Sequence, residues 1–217
     1  LYAARQTPSS FDLWLDARLE DGRDDSWFRA HPLRVGAIFC PLLGAALRRA
    51  DGTDCDATPG ADHAAGFEAA RHGSVAIRDA FDRIAAAATG TWDGPNKAFG
   101  QLYMRFSQDL LHDDAFAPLI DLMRDCIFEH WPIAQGTCLL GEDIATRKLH
   151  SVVTAAEETR LSPDLVEQVL VEFGVLSPDD PRPRGRRLFD AQAWAGLLND
   201  LPELVGLKAM RAAIGAT

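Results

Sequence analysis

Apolar residues recur every three or four positions along most of this chain, the spacing that gives a helix one buried face. From Phe11 to Leu19 the stripe is Phe11, Trp14, Leu15, Ala17 and Leu19, with Ser9 or Ser10 placed to cap it. A second stripe, Leu33, Ile38, Leu42, Leu43 and Leu47, runs through Pro32 to Arg49. Pro41 lies inside it and predicts a kink or break just before that residue, because proline removes a helical hydrogen bond and crowds the preceding turn. His63 to His72 reads as a short helix ended by Gly73, and Ser74 as the cap of a helix over Val75 to Ala88. Ala98 to Leu111 and a longer helix from Asp113 or Asp114 to Phe128 follow, closed by Trp131-Pro132. Between them, DGTDCDATP (51–59) and GTWDGPN (90–96) are rich in turn formers and read as loops. Gly136 to Gly141 has no period and is expected to be irregular.

The stretch HSVVTAAEETRLSPDLVEQVLVEFG (150–174) has a more specific pattern. Val152, Val153, Ala155 and Ala156 give the apolar face of a first short helix opening near Ser151, and Leu161 falls in a turn. Ser162 is placed to N-cap a second helix, Pro163 fits its first position, and Asp164 suits its positive end. Val166, Val169, Leu170 and Phe173 recur on one side before Gly174 stops the helix. This is the pattern of a helix-turn-helix, the arrangement by which many proteins offer a helix to the DNA major groove. Val175-Leu176 and Leu188-Phe189 flank the loop SPDDPRPRGRR and can form a small hairpin, the wing of winged DNA-binding domains. Asp190 to Leu198 and Val205 to Ile214 complete the helices. The predicted fold is therefore all-α: a helical domain over 1–140, then a smaller helix-turn-helix domain over 141–217 with a short β-hairpin wing.

Charge complicates the DNA reading. The net charge is −10, and residues 1–146 carry −9 of it, with 13 basic and 22 acidic residues. Residues 147–188 hold seven of each sign and are neutral. Phosphate neutralisation supplies most DNA affinity, so the bulk of the chain repels a duplex and any contact must be local or supported by a partner. No apolar run reaches 18 residues, so no membrane span is expected, and the N-terminus has no signal-peptide pattern. Nineteen of the 22 basic residues are Arg, which with the abundant Ala suggests a GC-rich bacterial genome; with no span or signal pattern, a cytoplasmic bacterial protein is expected. The cysteines Cys40, Cys55, Cys126 and Cys138 form no CxxC pair, so buried free thiols are expected rather than a zinc site.

Three stretches carry a family resemblance. GFEAARHGSVAIRDAFDRI (66–84), FAPLIDLMRDCIFEHWPIAQGTCLLGE (116–142), and residues 149–176 with 186–217 together resemble the C-terminal half of the TniQ/TnsD family of bacterial transposition target-selection proteins. The resemblance implies a non-enzymatic adaptor. Such a protein binds the target as DNA or through an RNA-guided effector complex, and recruits the ATPase regulator of transposition. Family members usually carry zinc-binding cysteine clusters in their N-terminal half. The chain opens on Leu1 rather than Met, so zinc is expected only in segments upstream of it, and no cofactor within it. LVGLKAMRAAIGAT reads as the start of a second helix-turn-helix whose recognition helix would follow Thr217; the alternative is a divergent short protein that never had these parts.

The candidate nucleic-acid contacts fall in three groups. Arg147, Lys148, Ser151 and Thr154, with His150, stand at the amino end of the first helix of the motif and suit phosphate contact. On the second helix Ser162 is the cap, and Gln168 is the one exposed residue suited to base readout, facing the same way as Asp164, Glu167 and Glu172. Arg182, Arg184, Arg186 and Arg187 form the best local cationic patch, able to follow a backbone or reach a minor groove. Each has a plainer alternative: a helix-turn-helix used for packing, and a solvated basic loop. A second hypothesis is therefore a protein-interaction or homodimerisation module with a vestigial helix-turn-helix. A third, remote one starts from His112-Asp113, because all-helical metal phosphohydrolases of the HD type use an adjacent His-Asp with other histidines, here His31, His63 and His72. No nucleophile-elbow, Walker or dinucleotide motif occurs. Of the five tryptophans, Trp92 is expected to be the most exposed.

Overall fold

Ser9 opens the first helix. Its hydroxyl accepts from the Asp12 N–H at 3.2 Å while the Asp12 carboxylate accepts from the Ser9 N–H at 2.9 Å, a reciprocal capping box that starts α1, Ser10–Glu20. The computed structural model describes residues 7–54, 58 and 60–203. It is mainly helical, with two small antiparallel strand pairs. Two units can be distinguished: residues 1–88 with 93–127, and residues 89–92 with 128–217. Among the described residues no helix is long and apolar enough to cross a membrane.

In the first unit α2, Leu33–Ala50, runs unbroken through Pro41, against the expected break. Burial of Phe39, Cys40 and Leu43 around the proline holds the helix together despite the missing donor. Against it packs α3, Ala61–Ala70, so closely that no side chain fits between them. A Cβ on Gly44 would lie 1.8 Å from the Asp62 carbonyl oxygen, and one on Gly66 would lie 1.8 Å from that of Cys40. Next comes α4, Ser74–Ala87; Ser74 is its first helical residue and does not cap it, the preceding Gly73 taking that position at φ 110°. The single helix expected over Ala98 to Leu111 is two: α5, Pro95–Phe99, and α6, Gln101–Ser107. They break at Gly100, whose φ of 56° suits glycine and whose bare Cα makes room for the Arg49 guanidinium. The long helix is α7, Ala117–His130, and ends just before Trp131 as predicted. The core is strongly aromatic. Phe39 stacks on Phe106 at 6.1 Å and meets Phe81 edge-on at 6.2 Å, and Phe81 meets Phe99 at 5.6 Å.

The second unit holds the strands. β1, Cys138–Leu139, and β2, Glu142–Asp143, pair around Leu140-Gly141, where the sequence suggested irregular chain. Both turn residues have positive φ, 47° and 83°, the signature of a type I′ hairpin turn. β3, Leu149–Ser151, leads into α8, Val152–Thr159; a turn follows, then α9, Pro163–Glu172, and later β4, Leu188–Asp190. The two helices are the predicted helix-turn-helix, with Ser151 and Ser162 as N-caps and Pro163 at the first position.

The wing forms differently. Leu188–Asp190 pairs with Leu149–Ser151, in register Leu149↔Asp190, and not with Val175-Leu176. The N–H groups of Val175 and Leu176 instead return to the Leu170 carbonyl, at 2.8 and 3.2 Å, closing the end of α9. That closure buries Leu176 and leaves Phe173, expected to face inward, 57% exposed. The core of this unit joins Val152, Ala155, Val166, Leu170, Leu176, Phe189, Leu198 and Leu201. Residues 195–203 are helical, later than the predicted start at Asp190. The Asp190 carboxylate first accepts from the Gln192 and Ala193 N–H groups and makes a turn. The helix expected over Val205 to Ile214 lies outside the described residues.

Candidate nucleic-acid interface

The arginine loop packs along α9, which carries the acids it needs. Pro183 leads into a single 3-10 turn, Arg184–Arg186. Arg184 donates to Asp164 at 2.5 Å and to Glu167 at 2.7 Å, and Arg187 donates to the other oxygen of Glu167. Arg187 also donates to the Arg182 carbonyl at 2.7 Å, which ties the two ends of the loop together. Arg182 turns to Asp180, donating at 2.6 and 2.9 Å; these bonds hold the Asp180 carboxyl down at about 2. The bonds it donates to Asp164, and then to Glu167, push the Arg184 guanidinium further toward its charged form. Arg186 lies over the Trp131 ring at 5.0 Å and donates to the His130 carbonyl at 3.3 Å. The acids that sequence reading placed on the outer face of α9 are thus real, and two of them are partners of the loop.

The four arginines differ in access. The Arg182 and Arg184 side chains remain about half exposed, while Arg187 is mostly covered. Gln168 is exposed, and its amide donates to Glu172 one turn along at 3.0 Å. Ser162 is exposed, with its hydroxyl accepting from the Leu165 N–H.

At the start of α8 the predicted phosphate contacts are used internally. Ser151 is 1% exposed; its hydroxyl accepts from Thr154 N–H at 3.2 Å, and Thr154 Oγ1 accepts from Ser151 N–H at 2.9 Å. Neither group is offered to a ligand in this conformation, because a cap at a buried strand-to-helix junction must turn inward. Arg147 donates to the Pro132 carbonyl at 3.2 Å and lies 3.7 Å from Glu158. Lys148 keeps a partly exposed ammonium, 3.4 Å from Glu129 and above the Phe128 ring. His150 is buried and stacks on Phe189 at 5.7 Å, with Nδ1 3.2 Å from Thr154 Oγ1 and Nε2 3.6 Å from Glu158. Burial lowers its pKa, Arg147 adds to this and Glu158 opposes it.

A segment distant in sequence also reaches the loop. A Cβ on Gly185 would sit 3.6 Å from the Thr91 carbonyl oxygen, so the turn bearing Trp92 lies beside the arginines. Trp92 is 87% exposed, as its loop position suggested, but nothing in the order of residues connects it to residue 185. Equally hidden from sequence reading was Glu167 as the shared partner of Arg184 and Arg187. The acids and arginines were each visible there, but their pairing spans 17 to 20 residues.

The other candidate chemistry disperses. Asp113 receives two bonds from Arg34, at 2.8 and 2.9 Å, and one from the Ala115 N–H. His31 packs at a tilt on Trp27 at 4.1 Å, His63 packs on Phe11 at 5.0 Å, and His112 and His72 are exposed. Cys40 and Cys126 are buried thiols and burial raises the pKa of Cys40, whereas Cys138, at the exposed start of β1, departs from the expectation of burial. Comparison with family models, curated proteins and solved structures gave no match, so the helix-turn-helix unit and its arginine loop stand on their own geometry.

Proposed function

We propose that this chain is a non-enzymatic DNA-targeting adaptor whose helix-turn-helix unit touches nucleic acid through its arginine loop. One observation carries the reading: Arg182 and Arg184 present half-exposed guanidinium groups on a loop fixed against the second helix of a helix-turn-helix. Among their present partners Asp164 is exposed whereas Asp180 and Glu167 are mostly covered, and an exposed ion pair contributes only about 0–1 kcal/mol. A DNA phosphate can therefore replace Asp164 on Arg184 at small cost, and reaches Arg182 on its exposed side. Lys148 adds a further partly exposed cation on the same unit. Base readout by α9 is a lesser part of the proposal, since Asp164 and Glu167 line the face that would enter the groove. Contact is then mainly with the backbone, and target choice belongs to a partner. That division suits the role implied by the resemblance to TniQ/TnsD proteins, in which an adaptor joins a target-bound complex to a transposition ATPase regulator.

The test is fluorescence-anisotropy binding to random duplex DNA over a salt series, comparing the chain with a variant carrying Arg182→Ala, Arg184→Ala and Arg187→Ala. The chain should bind at low salt and weaken as salt rises, and the variant should bind less tightly with a flatter slope. No binding at low salt would overturn the proposal.

A second reading has its own observation. Phe173 is exposed at the end of α9 beside the acidic Glu172, which suits a protein contact more than a phosphate. On that reading the unit docks a protein or a second copy of itself, and light scattering of the purified chain separates monomer from homodimer.

A further inference from the structure

The Thr91 carbonyl lies beside Gly185, which sets the turn bearing the exposed Trp92 against the loop that carries Arg182 and Arg184. A tryptophan with 87% of its surface in water contributes little to the core, and its ring is free on the outside of the unit. Every nucleobase has a π face, and stacking on an aromatic side chain requires that the base be unpaired. The charge beside the ring selects what carries the base. Arg182 and Arg184 can take a phosphate in exchange for a carboxylate, since Asp164, Glu167 and Asp180 now pair with these arginines and with Arg187. Aromatic side chains set along a cationic track are how single-stranded nucleic acid is held without sequence preference. Duplex DNA uses the arginines alone, because its bases are stacked within the helix.

We infer that Trp92, with Arg182 and Arg184, forms a stacking site for an unpaired base of single-stranded DNA. The inference rests on the proposed role of the loop in contacting DNA and extends it from duplex backbone to displaced or melted strand.

The experiment uses the full chain, a fluorescein-labelled oligothymidylate and a labelled duplex of equal length, with Trp92→Ala and Trp92→Phe variants. Trp92→Ala should weaken binding of the single strand about tenfold, the loss expected for one stacked base, and leave duplex binding unchanged. Trp92→Phe should recover most of that loss, since a phenyl ring also stacks. Salt-sensitive duplex binding together with single-strand affinity that Trp92→Ala does not alter would overturn this inference and leave the duplex proposal standing. Absence of binding to either probe at low salt would overturn both.

Discussion

Arg160 ends α8 in the left-handed conformation, at φ 58° and ψ 30°, with its N–H donating to the Ala156 carbonyl. An L residue with a Cβ is strained there by about 1–2 kcal/mol, and glycine relieves the strain while adding freedom to the unfolded chain. Arg160→Gly should therefore stabilise the protein by about 0.5 kcal/mol net, read from urea denaturation; a loss of stability would mean that the side chain has a role the turn does not reveal. His150 makes a second prediction. Its pKa in the fold lies below the ordinary 6.5 because the ring is buried against Phe189. The unfolded chain then binds the proton more readily, so its contribution is complete above pH 6.5 and is lost as pH falls below it. Thermal unfolding of the chain should weaken between pH 7 and pH 5 more than that of His150→Phe; parallel curves would remove His150 from the account. The capping residues were legible in the sequence because Ser9, Ser151 and Ser162 act on atoms three residues away. Ser74 was misread because Gly73 takes the cap with its backbone alone.

At the scale of elements, the crossing of α2 and α3 is set by two glycines on facing backbones. Gly44→Ala would drive a methyl group into the Asp62 carbonyl, and a rigid helix backbone cannot yield as a flexible side chain does. A loss of about 3 kcal/mol is expected, at the upper end of ordinary overpacking; a loss under about 1 kcal/mol would mean that the helices do not cross this closely. Periodicity located most helices, since a buried stripe is a local signal. It did not reveal the split at Gly100 or the continuity through Pro41. Each is decided by a neighbour: the Arg49 guanidinium over Gly100, and the core around Phe39 and Leu43. Pairing of the wing was hidden for the same reason. Val175-Leu176 is a short apolar run and Leu149–Ser151 (Leu-His-Ser) is not, yet the pairing falls to Leu149–Ser151 because the end of α9 takes the donors of the other.

For the whole molecule, a net charge of −10 stands against the half-exposed guanidinium groups of Arg182 and Arg184. The internal pairing of the arginine loop has a thermodynamic consequence for any phosphate that binds there. Arginines held by Asp164, Glu167 and Asp180 are already neutralised, so a phosphate exchanges places with a carboxylate that must then recruit its own cations from solution. Fewer ions are set free than the number of arginine contacts would suggest. Added salt also loosens the carboxylate pairs that compete with the phosphate. The two effects act in the same direction, and the loop behaves as an ion exchanger whose response to salt is shallower than its arginine count.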